Sequence, residues 1–230
     1  RIVTENGEEP TCEYVSHPAG CNGAGIRNQT KVPGTVVVLD GDEIKYSGSM
    51  RVRIRGNTSA YAAKKPYKIK LDKKGDMLFR GEDSKYKDKN WILLRYDDLK
   101  TMAGLRVNKL IGMQWTPAFT FVNVSFNGEY RGLYMLMEQV KRNEDCRLKV
   151  SENGFVLEYD AYWWNEDVYF SGGWNYSQQY TFKYPDDDEV TADQLAYITG
   201  YAKKMESSIR HGTYTDYIDV TSFAKWLLEI

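Results

Sequence analysis

Histidine and cysteine are scarce in this chain. Its 230 residues include two histidines, His17 and His211, and three cysteines, none of them in a Cys-x-x-Cys pair. Structural zinc sites use four clustered ligands, mostly of these two residue types, so the composition argues against such a site. Cys12 and Cys21 are near enough in sequence to form a disulfide in an oxidising compartment, but three unpaired thiols explain the sequence equally well.

Long apolar runs and an excess of one charge are also lacking. No segment approaches the roughly 20 consecutive apolar residues of a membrane span. The formal net charge is -1, so no overall field attracts the chain to nucleic acid or to a membrane surface. Aromatic residues make up 14% of the chain, which is typical of an ordered globular protein. We therefore predict no nucleic-acid partner and no membrane span.

The first half of the chain has the pattern of a β-sheet. Asp40-Gly41 is a hairpin signal, and Met50 to Arg55 and the stretch after Pro66 alternate apolar and basic residues. The apolar face carries Met50, Val52, Ile54, Tyr67, Ile69 and Leu71, and the opposite face carries Arg51, Arg53, Arg55, Lys68 and Lys70. Asn127-Gly128 predicts a further hairpin between Phe119–Phe126 and Glu129–Met137.

Helical patterns follow the first strands. Asp98 can cap a helix over Leu99–Met113, with one stripe formed by Leu99, Met102, Arg106, Leu110 and Met113. Thr191 and Gln194 have the spacing of a capping box at the start of a long amphipathic helix that ends at Gly212. Strands come mostly first and helices mostly later, which predicts the α+β class.

The last twelve residues predict one more helix. Asp219 or Thr221 can cap it, and Phe223, Trp226, Leu227 and Ile230 recur at the spacing of a single buried stripe. No Gly, Pro or basic last turn follows the stripe. We therefore expect this helix to be cut, so that the chain is a fragment of a longer protein.

The five cations on neighbouring strands form the main candidate binding surface. Like charges on adjacent strands repel, so an anion such as a phosphate would stabilise them. The alternative is a solvated sheet face whose cations pair with nearby carboxylates, and charge alone favours that alternative because polar residues alternate in any half-buried sheet.

Several sequence blocks resemble the spore coat protein H (CotH) kinase family. They are "MRVRIRGNTSAYAAKKPYKIKLDKK", "NWILLRYDDLKTMAGLRVNKLIG", "VNVSFNGEYRGLYMLMEQVKR", "GFVLEYD" and "YIDVTSFAKWLLEI". The first and third blocks are the most specific, and all five occur in the order of the family between about Met50 and Ile230. The resemblance implies an atypical protein-kinase-like fold in a secreted or cell-surface protein of bacterial type.

The same resemblance implies a division of the chain and a nucleotide site. Residues 1–49 would be an N-terminal extension or edge strands, 50–138 a sheet-rich N-lobe with one helix, and 139–230 a hinge and partial C-lobe. ATP with Mg²⁺ would be the cofactor, and Ser of an unidentified protein the phosphoryl acceptor. The implied nucleotide-binding residues are Arg55, Lys68, Lys70, Arg106 and Glu138, with Arg106 aimed at the cleft and Glu138 near the adenine or ribose edge.

General kinase signatures are absent, as the resemblance leads one to expect: the chain has no G-x-G-x-x-G, H-R-D or D-F-G. The N-x-D and W-D-F-D segments of the family, which supply metal ligands and the catalytic Asp, are expected beyond Ile230. The catalytic residues are therefore unknown, no metal ligand is assigned, and these 230 residues would carry the nucleotide-binding half without activity of their own.

Two further functions and four local alternatives stay open. The aromatic stretch Tyr162–Tyr180 can stack on sugars, which predicts a secreted module that binds carbohydrate or a coat partner, and a purely structural subunit is the third option. The same stretch can equally be a flap over the core. Glu138 can form a surface ion pair with Lys141 or Arg142. Asp97-Asp98 and the acidic run 186–189 have metal-binding composition, but helix capping and a favourable helix dipole explain them as well.

Overall fold

The computed structural model describes residues 1–21, 23–81, 83–95, 99–173 and 178–228. Strands and helices are both present, so the α+β prediction is confirmed. The barrel strands are β1 (Ile2–Thr4), β4 (Val32–Asp40), β5 (Glu43–Ile54), β6 (Tyr67–Gly75), β7 (Asp88–Arg95), β8 (Phe119–Phe126) and β9 (Glu129–Glu138). The smaller elements are the hairpin β2 (Glu13–Val15) and β3 (Gly25–Arg27), and a sheet of β10 (Val156–Asp160), β11 (Tyr169–Phe170) and β12 (Gln179–Tyr184). The helices are α1 (Lys100–Leu110), α2 (Ala192–His211) and α3 (Val220–Leu227).

Seven of the described strands close into a barrel in the order β1-β4-β5-β6-β7-β9-β8. All neighbours are antiparallel except β1 and β8, which meet in parallel at Ile2 and Phe126. The predicted alternation is confirmed, since the six residues of the predicted apolar face are at most 4% exposed and fill the barrel together with Trp91 and Phe126. They are Met50, Val52, Ile54, Tyr67, Ile69 and Leu71. The predicted hairpins at Asp40-Gly41 and Asn127-Gly128 are also present.

A second, smaller core lies between the β10-β12-β11 sheet and α2. Phe170, Phe182, Ile198 and Ala202 form its buried centre. The capping box of α2 is confirmed, because Thr191 Oγ1 accepts from Gln194 N at 3.2 Å and Gln194 Oε1 accepts from Thr191 N at 2.9 Å. The helix ends at Gly212, whose φ of 73° is the left-handed conformation that glycine adopts without strain.

The first and third helices differ from expectation. α1 is shorter than Leu99–Met113, and its predicted stripe is wrong because Leu110 is 85% exposed. Met102 and Leu105 pack instead on Ile92, Met135 and Met137. The predicted cap Asp98 lies outside the described residues. α3 is capped by Asp219, which accepts from Ser222 N, but Phe223, Trp226 and Leu227 are 41 to 53% exposed rather than buried, and Ile230 also lies outside the described residues.

Two further features bear on the sequence-based expectations. The thiols of Cys12, Cys21 and Cys146 are all free. Within the described residues, no helix combines the length and the hydrophobicity that crossing a membrane requires.

Candidate functional site

A cavity of about 490 Å³ lies where strands β5 and β6 of the barrel meet the segment after β9 and the end of β12. The barrel side contributes five cations: Lys31, Arg51, Arg53, Lys68 and Lys70. The opposite side contributes Lys141, Arg142 and Lys183, together with the two carboxylates of Asp186 and Glu189. Eight cations therefore surround a space that has two carboxylates on its lining. We call this space the cationic cavity.

Strand register explains why the barrel cations cluster. Arg51 lies directly opposite Lys70, and Arg53 directly opposite Lys68, on the antiparallel strands β5 and β6. Side chains at opposite positions have Cβ atoms about 4.5–5.5 Å apart, and like charges there destabilise the pairing. Because the intervening Val52 and Ile69 are fully buried in the barrel, the four charged side chains must share the other face. An anion in the cavity would relieve this repulsion.

Lys68 is the most strongly perturbed cation of the cavity. Burial, together with the charges of Arg53, Lys70 and Lys141, lowers the pKa of Lys68 to about 8. Burial likewise lowers the pKa of Arg53, whose Nη1 donates to the neutral Oε1 of Gln29 at 2.6 Å. Within the described part of the chain, neither Lys68 nor Arg53 has a carboxylate within 4.0 Å. Both therefore present charge that is not neutralised by a direct ion pair there.

A buried carboxylate supports the cavity from behind. Asp88 is 1% exposed, and its oxygens accept from Asn90 N at 2.7 Å and from Asn143 Nδ2 at 2.7 Å. Lys141 Nζ lies 3.6 Å from Asp88 Oδ2. Burial alone would raise the pKa of Asp88, but these hydrogen bonds and the nearby cations hold it below the ordinary value. Asp88 therefore fixes Asn90 and Lys141, which both line the cavity.

The far wall is held by its own ion pairs and ring contacts. Lys183 Nζ lies 3.2 Å from Glu158 Oε2 and 3.6 Å from Glu166 Oε1. The guanidinium carbon of Arg142 lies 4.8 Å from the centroid of the Tyr184 ring. The position of this wall is thus set by residues of β10, β12 and the segment after β9.

The structure brings some of the predicted nucleotide-binding residues together and separates others. Lys68 and Lys70 line the cationic cavity, but Arg55, Arg106 and Glu138 are not on its lining. Arg55 is half-buried, and its pKa is lowered by burial, with an opposing effect of the Glu158 charge. Arg106, expected to point at the cleft, is exposed with its guanidinium 5.8 Å from the Phe119 ring centroid.

Glu138 is buried rather than exposed at the strand end. It is 2% exposed, lies 2.9 Å from Arg80 Nη1, and accepts from Ala118 N at 3.0 Å. The proposed surface ion pair of Glu138 with Lys141 or Arg142 is wrong, because those cations pair with Asp88 and Glu144. Glu138 instead joins β9 to the segment that contains Arg80.

Sequence reasoning missed most of the wall opposite β5 and β6. Lys141 and Arg142 lie three and four residues after the last residue of β9, so their place just beyond a hairpin strand was the available signal. Lys183 and Lys31 gave no such signal, because they come from parts of the chain whose position relative to β5 and β6 depends on tertiary packing. Arg51 was in the predicted cationic face and does line the cavity.

Metal binding and the aromatic stretch were the remaining candidates. No group of three or more His, Cys, Asp or Glu side chains in the described ranges is placed to hold a metal ion. Asp97 and Asp98 lie outside those ranges, as does Trp174. The described aromatics of the Tyr162–Tyr180 stretch pack on one another, with ring centroids 4.6 Å apart for Trp163–Tyr169 and 5.2 Å apart for Phe170–Tyr180.

Comparison with known proteins gives one clear result. The family model described as "CotH kinase protein" matches residues 52–229, which include the last three residues of β5, strands β6 to β12 and all three helices. A search of curated proteins finds no match to the chain.

Proposed function

Since the chain belongs to the CotH kinase protein family, we propose that its cationic cavity binds the phosphate groups of ATP. The observation that carries the proposal is the direct pairing of Arg53 with Lys68 and of Arg51 with Lys70 on one cavity wall. ATP phosphates carry about four negative charges, and Arg forks and Lys ammonium groups are the usual protein partners of phosphate.

The proposed nucleotide site changes the residue set that sequence alone indicated. Lys68 and Lys70 keep their proposed role, and Arg51, Arg53 and Lys141 join them because they line the same space. Arg55, Arg106 and Glu138 do not line that space, and the proposed phosphate site leaves them out. No catalytic residue is assigned within the chain.

Mg²⁺ belongs to the proposal as the partner of the ATP phosphates. Mg²⁺ in phosphoryl-transfer sites is commonly held by one or two carboxylates together with substrate phosphates. Asp186 and Glu189 are the carboxylates on the cavity lining. When bound, Mg²⁺ would neutralise charge on the phosphate chain. In this proposal the cations of the cavity hold and orient the triphosphate of ATP.

The wider reaction follows from family membership. We propose that residues 50–138 act as the N-lobe and residues 139–230 as the hinge and part of the C-lobe of a kinase-like domain, with residues 1–49 completing the barrel. Ser in a secreted or surface protein is the proposed acceptor. Support for two lobes comes from the cavity itself, whose walls come from the barrel and from the smaller β10–β12 unit.

ATP binding to the purified 230-residue chain tests the proposal. Isothermal titration should detect ATP binding, and Lys68→Ala should weaken it roughly 10- to 100-fold, because one hydrogen bond to a charged group contributes about 1.5–3 kcal/mol. Lys73→Ala is the matched control, since Lys73 is exposed on the same strand and does not line the cavity. Equal ATP affinity in the wild-type chain and in Lys68→Ala would contradict the proposal.

A further inference from the structure

The lining of the cationic cavity contains few apolar or aromatic residues that could hold a flat base. Val52 and Tyr184 are its apolar or aromatic members. Val52 is 0% exposed and its side chain belongs to the barrel core, so it is not available to a ligand. Tyr184 is therefore the ring on this lining that could stack on a nucleotide base.

Tyr184 is already engaged on its ring face and at its hydroxyl. The guanidinium of Arg142 lies 4.8 Å from the ring centroid, and Tyr184 Oη donates to the Glu152 carbonyl at 2.9 Å. Arg142 is itself held, because Nε donates to the Val150 carbonyl at 2.6 Å and Nη2 lies 2.6 Å from Glu144 Oε1. A base that stacked on this covered face would have to displace an anchored guanidinium.

Two backbone acceptors of lining residues, the carbonyl oxygens of Gln139 and Asn90, are also engaged. Arg147 Nη1 donates to the Gln139 carbonyl at 3.2 Å, and Arg147 Nη2 donates to the Asn90 carbonyl at 3.3 Å. Arg147 is 2% exposed and its guanidinium lies 5.0 Å from the Trp91 ring centroid, so it is fixed in place. The side-chain Oε1 of Gln139 is a buried acceptor without a hydrogen-bond partner in the described structure. The substitution Gln139→Ala removes this acceptor and so tests whether it recognises a base.

Charge, by contrast, is plentiful and comes from both sides of the space. Five cations of the barrel face Lys141, Arg142 and Lys183 across the cavity, with Asp186 and Glu189 as the opposing charges on the lining. The affinity of such a site should increase with the number of phosphates on a ligand, because each added charge meets further cations at short range.

We propose that the cationic cavity recognises the phosphate chain and does not discriminate between bases. Its ligand class is then the linear triphosphate, whether this is carried by a purine nucleoside or free in solution. This inference rests on the proposed phosphate-binding function and adds to it a statement about specificity.

Competition among four ligands tests the inference on the intact 230-residue chain. ATP, GTP, inorganic tripolyphosphate and adenosine are titrated under one salt condition, in the presence and in the absence of Mg²⁺. We expect the first three to bind within about threefold of one another and adenosine not to bind. Lys68→Ala should weaken the three phosphate ligands by the same factor.

Two variants separate base recognition from phosphate recognition. Tyr184→Leu and Gln139→Ala should each change the ATP and tripolyphosphate affinities by equal factors, with thermal melting used to verify that both variants fold. The inference would be overturned if ATP bound at least tenfold more tightly than GTP and tripolyphosphate, or if either variant lost affinity for ATP but not for tripolyphosphate. Phosphate binding would remain supported in both cases. If tripolyphosphate binds and ATP does not, the result would support the phosphate site and refute the proposed binding of ATP. If none of the ligands binds, the result would refute both the phosphate site and its proposed specificity.

Discussion

The Lys141 ammonium lies 3.6 Å from the carboxylate of Asp88, at the point where the barrel meets the cationic cavity. Asp88 is almost completely buried, and it also accepts hydrogen bonds from Asn90 and Asn143. One carboxylate thus connects strand β7 to the segment after β9 and sets the position of two cavity-lining residues. The site depends on this internal charge although Asp88 itself does not line the cavity.

We expect Asp88→Asn to lower the free energy of unfolding by about 1–3 kcal/mol, because a buried charged hydrogen-bond network loses its acceptor. Urea denaturation at pH 7 measures the change. Asp72→Asn is the control, since Asp72 is exposed on β6 and should shift stability by no more than about 0.5 kcal/mol.

The same comparison at low pH checks the titration of Asp88. Its folded pKa lies below the ordinary carboxyl value of 3.8, so its contribution is present above that value and is lost as pH falls through the lower folded pKa. The stability difference between wild type and Asp88→Asn should therefore shrink as the pH falls below about 4. A difference that stays constant down to pH 2 would show that Asp88 does not stabilise the fold as a carboxylate.

The pKa of Lys68, lowered to about 8, predicts pH-dependent binding of phosphate ligands. Lys68 is protonated below pH 8 and loses its charge as pH rises through 8, so ATP and tripolyphosphate affinity should fall between pH 7 and pH 9. A bound phosphate would raise the pKa of Lys68, because a nearby negative charge favours the ammonium form, and binding near pH 8.5 should therefore take up protons. Titration calorimetry in buffers of different ionisation enthalpy measures this uptake.

Lys68→Arg provides the comparison for the pH experiment, because a guanidinium stays protonated throughout the range. Its affinity for ATP and tripolyphosphate should lack the fall that loss of the Lys68 charge causes in the wild-type chain between pH 7 and pH 9. Equal pH profiles for wild type and Lys68→Arg would assign the titration to another group.

Gly34 provides a test of the barrel closure. A Cβ at Gly34 would lie 2.2 Å from the carbonyl oxygen of Val3, a backbone atom of β1 that cannot move without disturbing the β1–β4 pairing. We expect Gly34→Ala to destabilise the protein by about 1–3 kcal/mol through overpacking. Gly200→Ala should do the opposite and stabilise it by about 0.5–1 kcal/mol, since Gly200 lies within α2 and its Cβ would meet open space.

Thermal and urea unfolding of both glycine variants measure these opposite effects. A neutral Gly34→Ala would mean that β1 packs less closely on β4 than the structure shows. Stabilisation by Gly200→Ala serves as the reference for a glycine replaced without a steric conflict.

Local sequence patterns predicted the parts of the fold whose partners are near in sequence. The alternation in β5 and β6, the Asn127-Gly128 hairpin and the Thr191–Gln194 capping box are all present. Each of these features depends on residues within one strand, one turn or the first turn of one helix. Their physical signal is therefore contained in a short window of the chain.

Features that depend on distant contacts were not predictable in the same way. The three residues of β1 carry too short an alternation to indicate that they join β4 to β8. The stripe predicted for α1 was wrong, because helical periodicity alone does not show which face of a helix packs against the rest of the protein. Leu110, a member of that stripe, is exposed to solvent. Similarly, the basic face was visible in β5 and β6, but the opposing Lys183 depends on where the small sheet is placed.

The contact between Ile2 and Phe126 has a consequence for how the barrel assembles and opens. These two residues are the single register pair between β1 and β8, supported by the bond from Asn127 N to the Ile2 carbonyl at 2.8 Å. Contacts between residues so far apart in sequence form late, because the chain must first lose the entropy of a long loop. We expect this seam to be the last part of the barrel to form. Amide hydrogens of β1 would then exchange with solvent through local opening, while those of Ile69 and Trp91 exchange at the slow rate of global unfolding.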